Sequence, residues 1–128
     1  WEDALNFDGN SGPFLQYAHA RACSMIRKAG AYAHDTDPSK LTDEYEIRLA
    51  KVLSRFEIVI ETAGQEKRVH LLPAYGHELA SAFNQFYAAV PVLTAGPSRD
   101  ARLTLVECSM IVLRNVLDCL GMGAPEEM

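Results

Sequence analysis

The sequence predicts an all-α fold, a single bundle of about five helices. Three observations carry this expectation. Apolar residues recur at helical spacing through most of the chain. No run shows sustained two-residue alternation or an Asn-Gly hairpin signal. Helix-starting and helix-stopping residues punctuate the periodic stretches. The stretch "EIVIET" is the only one that could be argued as a strand, and it lies inside a longer helical pattern.

The first helix is expected from about Ser11 to Tyr32. Asn10 or Ser11 is its cap, and Pro13 sits in the first turn, where a missing N–H costs nothing. "DTDPSK" then closes it. A second helix begins at Thr42 or Asp43, where Asp43 and Glu46 resemble a capping box, and continues to about Phe56. A shorter third covers roughly Glu57 to Gly64. Leu72, Tyr75, Leu79, Phe83, Phe86 and Val90 then recur at helical spacing, which predicts a fourth helix over about 72–90, ended by Pro91. The fifth is capped by Ser98 and runs through "ARLTLVECSMIVLRNVLDCL" to Gly121, a residue suited to a left-handed stop. Its apolar residues cover more than half the circumference, as a central helix requires.

The chain has 128 residues, 48% of them hydrophobic and 23% charged, which suits one globular domain. A domain of this size buries roughly two thirds of its unfolded surface and needs no disulfide or metal staple. Cys23, Cys108 and Cys119 form an odd set without Cys-x-x-Cys spacing, and no basic-then-apolar leader opens the chain, so a reducing, cytosolic setting is expected. No apolar tract approaches the ~20 residues of a membrane span, so a soluble protein is expected. The net charge of −5 argues against a generic nucleic-acid binder with a basic surface; any RNA contact would be local and shaped. The chain starts at Trp1, which suggests a piece from the carboxyl end of something longer.

On a wheel, the first helix separates into two stripes. Leu15, Ala18, Ala22, Ile26 and Ala29 make a core face. Phe14, Tyr17, Arg21, Ser24 and Lys28 make another, with Tyr17 about 150° from the middle of the first. Phenol and guanidinium planes on a rigid helix suit stacking and hydrogen bonding to unpaired bases. The alternative is that Tyr17 fills a groove between helices and Arg21 makes a surface ion pair.

Other chemistry is sparse. His19 and Cys23, four apart, could form one edge of a metal site, but no second pair supplies the remaining ligands. His34, His70 and His77 are scattered and suit surface or capping roles. There is no phosphate-binding glycine motif, since "GMG" follows a helix rather than a strand. Acidic pairs such as Asp43 and Glu44, or Glu126 and Glu127, suit a helix start and a tail rather than acid/base catalysis. The ending "LGMGAPEEM" is either a disordered acidic tail or a segment whose Met128 packs back onto the bundle or onto a ligand.

"NFDGNSGPFLQYAHAR", "FNQFYAAVPVL" and "RNVLDCLGMGAPEEM", in this order, resemble the carboxyl-terminal anticodon-binding domain of arginyl-tRNA synthetase, the helical DALR domain. The resemblance covers residues 1–128 and implies one tRNA anticodon-binding domain of a longer class I synthetase. It implies that the anticodon loop of arginine tRNA is held here with its middle cytosine in a pocket. An upstream catalytic domain of the same chain would bind arginine, ATP with magnesium, and the acceptor end. By resemblance, Tyr17 and Arg21 stand at the base-stacking surface, Tyr87 faces them from the fourth helix, and Met128 closes the pocket. Phe14 is carried over as a fifth RNA-binding residue; it stands where the family often has tyrosine, so stacking or packing is kept and a phenolic hydrogen bond lost. Gln16 is either a contact to the loop or a helix-surface residue, and the second reading is preferred.

The adenylation motifs of class I synthetases are absent from these residues, so this piece alone is expected to be inactive. No catalytic residue, metal or cofactor is assigned to it. Arginine tRNA and the catalytic domain are the expected partners, in the cytoplasm, with no membrane and no DNA. The rival reading is a free-standing helical module for protein or RNA interaction.

Overall fold

The computed structural model describes residues 12–68 and 70–128. They form five α-helices: α1 (Gly12–Ala29), α2 (Glu44–Ser54), α3 (Phe56–Gln65), α4 (Leu71–Ala89) and α5 (Arg99–Cys119). Short 3₁₀ turns at Pro38–Lys40 and Gly96–Ser98 lead into α2 and α5. No strand occurs among the described residues, and "EIVIET" lies within α3.

α1 ends three residues before the expected Tyr32 because Gly30 takes a left-handed φ of 68°. Arg99, opening α5, donates to the Ala29 carbonyl at 2.8 Å and so closes that end from another element. The expected caps Asn10 and Ser11 lie outside the described residues.

Asp43 caps α2 by accepting from the Tyr45 amide at 2.8 Å. Glu46, the expected second half of a capping box, is instead fully buried and bonded to Arg102 of α5. The α2 and α3 helices are separated by Arg55 alone, whose guanidinium reaches the Glu78 carboxylate with two bonds of 2.9 and 2.7 Å. That fork joins the corner to α4, so the helix breaks two residues short of Phe56.

Leu15, Leu49, Leu79, Phe83, Phe86, Leu103, Leu113 and Leu117 form the buried centre. On α4, every member of the expected apolar repeat is buried except the half-buried Leu72. The α5 helix packs against α1, α2 and α4, as its wide apolar face requires. It stops where Gly121 takes φ 71° and the amides of Gly121 and Met122 donate back to the carbonyls of Asp118 and Leu117. The chain is thereby turned towards α1. No helix among the described residues is long and apolar enough to cross a membrane.

Candidate RNA-binding face

α1 is a two-sided element. Leu15, Ala18 and Ala22 are buried, with Ile26 and Ala29 partly so, which makes the expected core face. On the other stripe, Tyr17 is 53% exposed, and Arg21 and Lys28 are exposed beside it. Periodicity therefore separated these stripes correctly, with one exception. Phe14 is half-buried, packs on the core, and stacks obliquely on His77 with ring centroids 5.0 Å apart. It belongs to the α1–α4 contact rather than to the open face.

Arg21 is held before any ligand arrives. Its Nη1 donates to Asn84 Oδ1 at 2.9 Å, and its guanidinium carbon lies 5.5 Å from the centroid of the Tyr87 ring. Both partners are on α4, so one arginine ties the open face of α1 to its neighbour. Tyr87 is 42% exposed and leans on Phe83 of the core at 6.2 Å.

The polypeptide after Gly121 returns along α1. Gln16 Nε2 donates to the Gly123 carbonyl at 2.9 Å, His19 Nδ1 lies 3.0 Å from the Pro125 carbonyl, and Arg27 Nη1 donates to the Glu126 carbonyl at 3.2 Å. Gln16, half-buried on the helix surface, is thus also a tail contact, and the tail is docked rather than free. Tyr17, Ala20, Arg21, Ser24 and Arg27 of α1, with Glu126, Glu127 and Met128, enclose an open cavity of about 430 Å³. Met128, 60% exposed, forms one wall. A second cavity of about 80 Å³ lies across Arg21, lined by Tyr87, Lys28, Met25 and Leu93. The structure therefore gathers Tyr17, Arg21 and Met128 at one cavity, places Tyr87 beside Arg21, and sets Phe14 apart.

Charge at the cavity is mixed. Arg27 pairs with Glu127 at 3.7 Å, but both side chains are well exposed and water weakens the pair. Glu126 and Glu127 offset much of the positive charge of Arg21 and Arg27. Attraction of phosphates is thus modest, and the planes of Tyr17, Tyr87 and Arg21 dominate what the face offers.

His19 is fully buried, which its spacing with Cys23 alone did not reveal. The Cys23 sulfur is 3.6 Å from His19 Nε2, and burial pushes the thiol above its ordinary pKa. The expected surface roles hold for His34, which pairs with Glu107 at 2.5 Å, and for the exposed His70. All three cysteines are free thiols. Among the described residues, no group of three His, Cys, Asp or Glu side chains is arranged to hold a metal ion.

A helical bundle with an open face that offers aromatic and guanidinium planes together is a recognition domain suited to unpaired bases. The model of the DALR anticodon binding domain matches residues 15–128, and the chain belongs to that family. It is 47% identical over its whole length to arginine–tRNA ligase of Methanosarcina barkeri, covering 24% of that protein. Against the same ligase of Thermococcus kodakarensis it is 50% identical over its whole length and covers 21% of that protein. In the solved structure of Thermus thermophilus arginyl-tRNA synthetase, the whole chain superposes on 23% of the enzyme with TM-score 0.89 and 41% identity. Plasmodium falciparum arginyl-tRNA synthetase matches 97% of the chain over 22% of its own length, with TM-score 0.79 and 27% identity. The chain spans about a quarter of the length of the curated relatives it matches.

Proposed function

We propose that this chain is the anticodon-reading domain of an arginine–tRNA ligase. Tyr17, Arg21, Tyr87 and Met128 form the surface that holds the anticodon loop of arginine tRNA. The observation that carries this reading is the meeting of Tyr17, Arg21 and Met128 around one open cavity on α1, with Tyr87 adjacent. A flipped base entering the cavity stacks on the Tyr17 ring and against Met128. Arg21, braced by Asn84 and Tyr87, offers its remaining N–H groups to a base edge. Phe14 contributes from beneath, by fixing α1 against α4 through His77.

Stacking on neutral rings also reconciles RNA binding with a net charge of −5. Arginine activation with ATP and magnesium, and attachment to the acceptor end, belong to the remainder of the ligase, which acts in the cytoplasm. The part played by this chain is to anchor the far end of the tRNA.

Titration of arginine tRNA, against the same tRNA with an altered middle anticodon base, tests the reading. Weaker binding of the altered tRNA is expected, with a shallow salt slope of about −1 to −2, corresponding to one or two phosphate contacts. Equal binding of both, or no binding at low salt, would overturn it.

A further inference from the structure

The three side chains that hold the tail carry an inference about how the cavity is built. Gln16, His19 and Arg27 lie on one stripe of α1, together with Cys23, at spacings of three and four residues. Each of the three side chains meets a different tail carbonyl. The Gln16 and Arg27 bonds are exposed to water, whereas His19 is fully buried. An imidazole nitrogen that faces a carbonyl must carry the proton, so Nδ1 is the donor. The Cys23 sulfur packs against the same ring, 3.6 Å from Nε2 and 3.9 Å from Nδ1, and burial raises the pKa of its thiol.

We infer that Gln16, His19 and Arg27 are positioning residues that latch the tail onto α1, with the buried His19 as the principal anchor, so that Met128 stands as a fixed wall of the cavity. The consequence for RNA rests on the function proposed above; the latch itself does not. A loose Met128 would have to be ordered by each incoming base, and the entropy of ordering the tail would be subtracted from affinity. A docked one is ordered beforehand.

The test is methyl-carbon NMR of the intact protein labelled at its four methionines, with Met128 assigned by Met128→Leu. In the wild type the Met128 methyl is expected away from its random-coil position. His19→Leu moves it there while Met25 and Met110 keep their shifts, which reports an intact bundle. His19→Asn, whose side-chain amide can donate from the place of Nδ1, retains the displaced signal. Gln16→Ala shifts it partly in the same direction, and this variant serves if His19→Leu does not fold. A random-coil Met128 in the wild type, an unmoved signal in folded His19→Leu, or identical spectra for His19→Leu and His19→Asn would each overturn the latch.

Binding supplies the second readout. His19→Leu and Met128→Ala are each expected to weaken arginine tRNA by about tenfold, the scale of one stacking contact. The double variant should be no weaker than either alone. Additive losses overturn the positioning role. Absence of RNA binding in the wild type overturns the anticodon reading while the spectral result stands.

Discussion

Arg102 Nε meets the Glu46 carboxylate at 2.5 Å inside the bundle, with Glu46 fully buried. The second carboxylate oxygen has no hydrogen-bond partner among the described residues, and Arg102 also donates to the Pro91 carbonyl at 2.6 Å. One side chain of α5 thereby holds α2 and the chain leaving α4. Breaking such a pair strands a charge, whereas replacing both members with apolar residues need not. Arg102→Leu is expected to lower stability by about 3–5 kcal/mol in urea unfolding, and Glu46→Leu with Arg102→Leu to recover most of the loss. A single-variant loss below about 1 kcal/mol would put this pair with weak surface ion pairs.

Gly76 lets α4 lie close against Leu15 of α1 and Val116 of α5. A Cβ built there would meet Leu15 Cδ2 at 2.6 Å and Val116 Cγ1 at 3.0 Å. Alanine would gain about 1 kcal/mol of helix propensity, against about 1–3 kcal/mol for overpacking. Leu15 and Val116 are themselves buried, so the second effect should win. Gly76→Ala is expected to lower Tm; a rise would mean that Leu15 repacks freely.

Stability should decline at alkaline pH because of Tyr75. Its hydroxyl donates to the Val52 carbonyl at 2.8 Å, and burial raises its pKa from 10.0 to about 12. A raised folded value means that the contribution is complete below the unfolded pKa of about 10 and is lost as pH rises towards 12. Tyr75→Phe should remove this part of the alkaline decline while costing about 0.5–1.5 kcal/mol at neutral pH. At the acid end, the hydrogen bond from Arg55 lowers the Glu78 pKa below its ordinary value of 4.5. That contribution is present above about 4.5 and is lost as pH falls through the lowered value. Thermal melts of the wild type, Tyr75→Phe and Glu78→Gln across pH separate the two effects.

Tyr17→Ala is expected to weaken arginine tRNA by about 1–3 kcal/mol, the value of a stacked base, and to shift Tm by no more than about one or two degrees. Arg21→Lys keeps the charge but loses the plane and the fork, so it should weaken binding with little change in salt slope. Unfolding of Tyr17→Ala would instead assign its ring to the core.

Helix number and order, the two stripes of α1 and the stop at Gly121 were all legible in the sequence. Each follows from local spacing or from one residue with special backbone freedom. Where local rules competed with distant partners, they misled. Glu46 has capping-box spacing, yet its partner lies on α5. Phe14 sits on the open stripe by angle, but His77 of α4 covers it. The first helix was read past Gly30, although glycine before "AYAHDTDP" was the available stop signal. The latch was least legible, because Gln16 and His19 meet residues more than a hundred positions away and nothing in helical periodicity points to a returning tail. Their order, Gln16 to Gly123 and His19 to Pro125, emerges only once Gly121 has turned the chain.

The side chains that face the cavity and those that grip the tail share one helix, so a single rotation about its axis fixes both. Insertion or deletion of one residue between Gln16 and Arg27 would turn half of α1 by about 100° relative to the rest. It would separate the tail contacts at the two ends of the stripe while leaving composition and helix propensity almost untouched. The same change between Ala31 and Asp37, outside any helix, should be far better tolerated. Length variation across this domain should therefore collect in its loops, and α1 should vary by substitution alone.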